Sequence, residues 1–144
     1  MLQVQAKAPG FILRNQDNRE ISLDTFQGKY VVLYFYPKDG TAGCTKEACS
    51  IRDNYAKLQT LAVVLGASAD SVESHKQFAE KHHLPFMLLS DPKKEVISAY
   101  QADGLFTKRV TYLINPEGII IKTYPKVDPS QHAEEIINDL ESLK

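Results

Sequence analysis

A chain of 144 residues with 43% hydrophobic and 24% charged content has the composition of a globular protein and is long enough to bury a core of its own. A formal net charge of -1, with no basic run longer than two residues, removes the electrostatic case for nucleic acid or a membrane surface as a partner. No stretch approaches a membrane span, and the opening MLQVQAKAPGFILRNQ lacks the pattern of a secretory signal, so a cytoplasmic protein is the expectation.

The elements follow in chain order. EISLDTFQGKY suggests a short extra hairpin or cap. KYVVLYFYP, residues 29–37, is a near-continuous β-branched and aromatic run ended by proline, the pattern of a strand buried on both faces. A helical stripe follows from Ala48 through Ile51, Tyr55 and Leu58. LAVVLGAS, residues 61–68, repeats the buried-strand signature. Residues 71–82 form an amphipathic helix with Val72, His75, Phe78 and Ala79 on one side. PFMLLSD, residues 85–91, is a third strand, and residues 94–100 a short helix. VTYLINPEGIIIKTYP is a hairpin turning at Asn-Pro-Glu-Gly. The last helix is predicted to take Asp128 as N-cap and Pro129 as its first residue, burying Ala133, Ile136, Ile137 and Leu140. Strands alternating with helices, then a hairpin and a closing helix, predict one α/β domain over 1–144: a mixed sheet covered by helices on both faces.

Both cysteines lie in one stretch, PKDGTAGCTKEACS. In a reducing cytosol such a pair points to redox or metal chemistry more than to a structural disulfide. Cys44 follows a loop of small residues leading off a buried strand, which puts it in the first turn of a helix. There free backbone N–H groups and the helix dipole favour a thiolate. An ordinary thiol, with pKa about 8.5, is only a few per cent ionised at neutral pH. A helix terminus supplies about 0.3–2 kcal/mol, so a cation from elsewhere in the chain is also required. Cys49 is five residues on. In an unbroken helix that spacing separates the Cα atoms by about 8–9 Å, against the roughly 4.4–6.8 Å of a disulfide. A bond between the two therefore requires the first helical turns to unwind. Otherwise Cys49 is a small buried hydrophobe. The four histidines show no zinc-type spacing with the cysteines, and neither a metal nor a cofactor is expected.

YPKDGTAGCTKEAC resembles the active-site loop of the peroxiredoxins, thiol peroxidases on a thioredoxin-like fold, and the second cysteine five positions on resembles their bacterioferritin comigratory protein or Q-type subgroup. The likeness extends through SLDTFQGKYVVLYFYPKD, ADSVESHKQFAEKHHLPFMLLSD and KRVTYLINPEGII. It implies that Cys44 is the peroxidatic thiolate, that Thr41 places its hydroxyl against thiolate and peroxide, and that Pro37 shields the pocket. It also implies that Arg109, otherwise readable as a solvated charge before a strand, is the missing cation, with Glu47 holding it in place. Cys49 would resolve the sulfenic acid as an intramolecular disulfide, and a thioredoxin-like donor would reduce that disulfide. Many members of the subgroup are monomers, so a monomer is expected. Ala42 departs from the subgroup's usual proline, which frees one backbone dihedral.

Three rivals stand beside this reading. A thioredoxin-type disulfide oxidoreductase would carry Cys-x2-Cys and a proline just before the strand at Thr111, where this chain has Cys-x4-Cys and Arg109-Val110. A peroxide-sensing relay would share the enzyme's first half-cycle and differ in turnover. A nucleotide-binding α/β domain would need a phosphate loop, whose spacing and Lys-Ser/Thr ending DGTAGCT lacks.

Overall fold

The computed structural model describes residues 1–143. Its centre is a strand β3, Val31–Phe35, in which every residue is buried. Val31, Leu33 and Phe35 point into one core and Val32, Tyr34 and Tyr36 into the other, as the unbroken apolar run requires. Around it lie β1 (Ile12–Arg14), β2 (Glu20–Ser22), β4 (Val63–Ser68), β5 (Met87–Ser90), β6 (Val110–Ile114) and β7 (Ile120–Tyr124). They form one sheet in the order β2-β1-β5-β4-β3-β6-β7. The pairs β3–β4 and β4–β5 are parallel, and the rest, including β3–β6, are antiparallel. The mixed α/β sheet is the predicted fold, and the N-terminal hairpin pairs through β1 with β5.

The two faces are covered unequally. The longer helices α1 (Ala42–Asp53), α3 (Val72–His82) and α5 (His132–Glu141) pack on the core that holds Tyr34, Tyr36 and Cys44, with the one-turn α2 (Tyr55–Leu58). The other face is closed by α4 (Glu95–Ala99), a 3-10 turn at Leu23–Phe26 and the N-terminal segment.

Helix boundaries depart from the apolar pattern in three places. Helix α1 begins at Ala42, six residues ahead of its stripe, because its first turn faces a polar site and carries little apolar signal. The stripe read as one helix is interrupted at Asn54, which leaves helical geometry and whose Nδ2 bonds the Ser50 carbonyl at 2.8 Å. Helix α5 starts at His132 with Gln131 as N-cap, not at Asp128. The Asp128 carboxylate accepts from the Ser130 N–H and hydroxyl (3.0 and 2.8 Å), and its carbonyl accepts the Gln131 and His132 N–H groups. It therefore builds a preceding turn, and Pro129 belongs to that turn rather than to the helix. The stripe Ala133, Ile136, Ile137 and Leu140 is buried as read.

Candidate active site

Sheet register assembles the site. Strand β3 ends at Phe35, opposite Val110 of β6. The residue before Val110 is Arg109, so the pairing that lays β6 on β3 delivers Arg109 to the loop running from Tyr36 to the start of α1. Its Nη2 donates to Cys44 Sγ at 3.2 Å and its Nη1 to Glu47 Oε1 at 2.8 Å. The reading of Arg109 as a solvated surface charge fails for this reason.

Cys44 is 2% exposed, in the first turn of α1 behind the N-cap Thr41. Its sulfur thus has a helix N-terminus on one side and a guanidinium on the other, the two sources of positive potential a thiolate needs. Gly43 makes the approach of Arg109 feasible: a Cβ there would lie 3.0 Å from Nη2. The sequence carried no signal for this, since the close contact comes from a neighbour 66 positions away.

Glu47 sits one turn after Cys44 with its carboxyl 1% exposed. Oε1 takes the Arg109 bond, while Oε2 finds no hydrogen-bond partner among the described residues. Burial opposes the charged form more strongly than Arg109 favours it, so the Glu47 carboxyl is raised from 4.5 to about 7. Near neutral pH Glu47 is therefore in part uncharged, which leaves more of the guanidinium's positive charge for Cys44.

The remaining anticipated residues are placed as follows. Thr41 is exposed, and its hydroxyl donates to the Lys38 carbonyl at 2.9 Å rather than to Cys44. Its oxygen lone pairs remain able to accept. Pro37 is half-buried at the start of the loop. Cys49 is half-buried in the same unbroken helix as Cys44, and both thiols are free.

One cluster was not anticipated. Asp39, in the loop between β3 and α1, contacts His75 of α3, Ser74 and Tyr36, and its N–H donates to Asp70. Ligand atoms of Asp39, Asp70 and His75 lie within 4.8 Å of one another. That is compact enough for a cation, yet both Asp39 oxygens, Asp70 Oδ2 and both His75 nitrogens are already engaged in protein hydrogen bonds. The available signal was His75 on the apolar side of α3, since a buried histidine must find partners.

A profile of the AhpC/TSA family matches residues 4–123. The peroxiredoxin Bcp of Bacillus subtilis is 38% identical over 99% of this chain and 97% of its own. The chain belongs to the peroxiredoxins. The chloroplastic peroxiredoxin Q of Sedum lineare is 44% identical over 94% of this chain and 76% of its own. Among solved structures, the peroxidoxin BcpB of Mycobacterium tuberculosis superposes with a TM-score of 0.91 at 27% identity, covering 100% of this chain and 99% of its own. The bacterioferritin comigratory protein of Xanthomonas campestris, solved to explain its alkyl peroxide reduction activity, gives 0.89 at 29%, covering 92% and 91%. The Bcp and Q relatives bear out the subgroup resemblance, and the fold is thioredoxin-like. This peroxiredoxin is a thiol peroxidase, and no described helix is long and apolar enough to cross a membrane.

Proposed function

We propose that this peroxiredoxin reduces hydrogen peroxide and organic hydroperoxides through Cys44. The observation that carries the assignment is Arg109 Nη2 at 3.2 Å from Cys44 Sγ, at the N-terminus of α1. The thiolate attacks one peroxide oxygen, the O–O bond breaks, and the S–O bond leaves a sulfenic acid. The departing alkoxide or hydroxide takes a proton and leaves as alcohol or water. Arg109 and the amides of the first turn of α1 stabilise negative charge as it moves from sulfur to the leaving oxygen. Each such preorganised donor is worth about 2.7–4 kcal/mol. Thr41, whose own proton is held by Lys38, accepts a hydrogen bond from a hydroperoxide O–H. Pro37 limits water at the mouth of the site, and Glu47 holds the guanidinium beside the sulfur through Nη1.

Cys49 then attacks the sulfenic sulfur of Cys44, forming the disulfide and releasing water. Both residues lie in one continuous helix, so this step requires the first turns of α1 to unwind. A thioredoxin-like dithiol reduces the disulfide by exchange, its own thiols becoming a disulfide. The working form in this reading is a cytoplasmic monomer of a single domain.

The test is intact mass after one equivalent of hydrogen peroxide, with thiol alkylation. Loss of two hydrogens with Cys44 and Cys49 both protected is expected. Oxygen added to Cys44 while Cys49 still alkylates would remove Cys49 from the cycle. Cys49→Ser should consume one peroxide per chain at the normal rate and then hold the sulfenic acid.

A further inference from the structure

The Tyr36–Thr41 loop is tied down at one residue. Asp39 Oδ1 accepts from the Tyr36 hydroxyl at 2.6 Å, and Oδ2 accepts from the Ser74 hydroxyl at 2.9 Å and meets His75 Nδ1 at 2.7 Å. The Asp39 N–H donates to Asp70 Oδ2 at 2.9 Å, and the same oxygen takes the Ser68 hydroxyl at 2.6 Å. The far nitrogen of the ring, Nε2, lies 2.9 Å from the Leu89 carbonyl. The His75 side chain is 0% exposed and that of Asp39 5%.

Counting donors and acceptors decides where the protons are. A carbonyl only accepts, so Nε2 carries a proton. One further proton lies between Nδ1 and Asp39. The two hydroxyls already donating to Asp39 favour a carboxylate, and the Tyr36 oxygen, 3.4 Å from Nδ1 with its proton given to Asp39, can there only accept, which places the proton on Nδ1. The pair is thus a buried imidazolium and carboxylate. A buried ion pair of this kind is seldom a net source of stability, so its value must be sought in what it holds.

We infer that the buried Asp39–His75 ion pair positions the peroxide-reactive loop, fixing Thr41 and the first turn of α1 relative to Arg109. The inference rests on Cys44 being the peroxide-reactive thiol. Arg109 is held by β6, through pairing with β3, and the Thr41–Cys44 segment must be held to match it. Asp39 is two residues from Thr41, joined through Gly40, whose φ of 80° makes a turn that glycine adopts freely. The Thr41 hydroxyl closes the turn onto Lys38, and its backbone carbonyl accepts the Thr45 N–H at 2.9 Å as the first bond of α1. Downstream of Cys44 the same helix must unwind to reach Cys49, so the anchor must lie upstream, and Asp39 does. Asp39 and His75 are positioning residues, since neither contacts the sulfur.

Two measurements on the full chain test this. In the wild type, ring nitrogen–proton correlation spectra should show His75 with two N–H protons; a single N–H overturns the ion pair. In Asp39→Asn, the rate of Cys44 with hydrogen peroxide should fall about ten- to hundred-fold, the effect of misplaced donors. Alkylation of Cys44 by iodoacetamide, which reads thiolate formation but not the donors aimed at the O–O bond, should fall by less than the peroxide rate. The double variant Asp39→Asn, His75→Gln removes both charges together and leaves no unpaired buried charge. It should show the same selective loss. Equal loss of both rates would reduce Asp39 to a structural role, and an unchanged peroxide rate would refute the inference. Failure of the underlying reading looks different: wild-type Cys44 itself would then not react with peroxide.

Discussion

Replacing Glu47 by glutamine tests the electrostatics of the site through stability alone. The Glu47 carboxyl is 1% exposed and has one charge-assisted partner, Arg109, for two oxygens. Desolvation prevails, and the group titrates at about 7 in the native state against 4.5 ordinarily. Between those values the unfolded chain has released the proton while the native state still binds it. Unfolding stability therefore falls as pH rises through that window. At about 1.36 kcal/mol per pH unit, the loss from pH 4.5 to 7 is about 3 kcal/mol, with none above it. Glutamine keeps the shape and does not titrate. Urea unfolding at half-unit steps from pH 4.5 to 8 measures the difference between the chain that keeps Glu47 and the Glu47→Gln variant, both in a Cys44→Ser background that removes the thiol's ionisation. The expected result is a difference that drops by about 3 kcal/mol across the window and then levels. A difference flat to within about 0.5 kcal/mol would refute the reasoning, because Arg109 would then outweigh burial and hold Glu47 ionised throughout.

Arg109→Ala removes the one side-chain donor on the Cys44 sulfur among the described residues and should slow reaction with peroxide by about two to three orders of magnitude. Stopped-flow kinetics on the reduced protein checks this, and a loss under about three-fold would exclude Arg109 from the chemistry. Gly43→Ala separates activity from stability. Alanine favours a helix over glycine by about 1 kcal/mol, so the melting temperature should hold or rise. The new Cβ, 3.0 Å from Arg109 Nη2, displaces the guanidinium and should lower the peroxide rate about three- to ten-fold. An unchanged rate would show that the guanidinium can shift without cost.

The strands from β3 to β7 were legible because each lies in the sheet interior or in a tight hairpin, and such positions select β-branched, aromatic and turn residues directly. The apolar stripes of α3 and α5 were legible for the same reason. Their ends were less so. Caps and first turns are set by hydrogen bonds to neighbours, as at Asp128, and not by burial. The chemistry-bearing loop, with Cys44 at a helix start and Cys49 five residues on, was likewise local, since a helix fixes the spacing of its own residues.

What only the tertiary structure decided are the meetings of residues distant in the chain. Arg109 reaches Cys44 across 65 positions because Val110 pairs with Phe35, and a slip of one residue in that register would turn it to the other face. His75 reaches Asp39 across 36 positions because α3 packs against β5 and sets the ring beside Tyr36. By itself the sequence determined the fold class and the place of the candidate cysteine at a helix start, because these depend on patterns within a few turns or strands. The charges around that cysteine were decided by register and packing, because electrostatic partners answer to distance in space and leave no period along the chain.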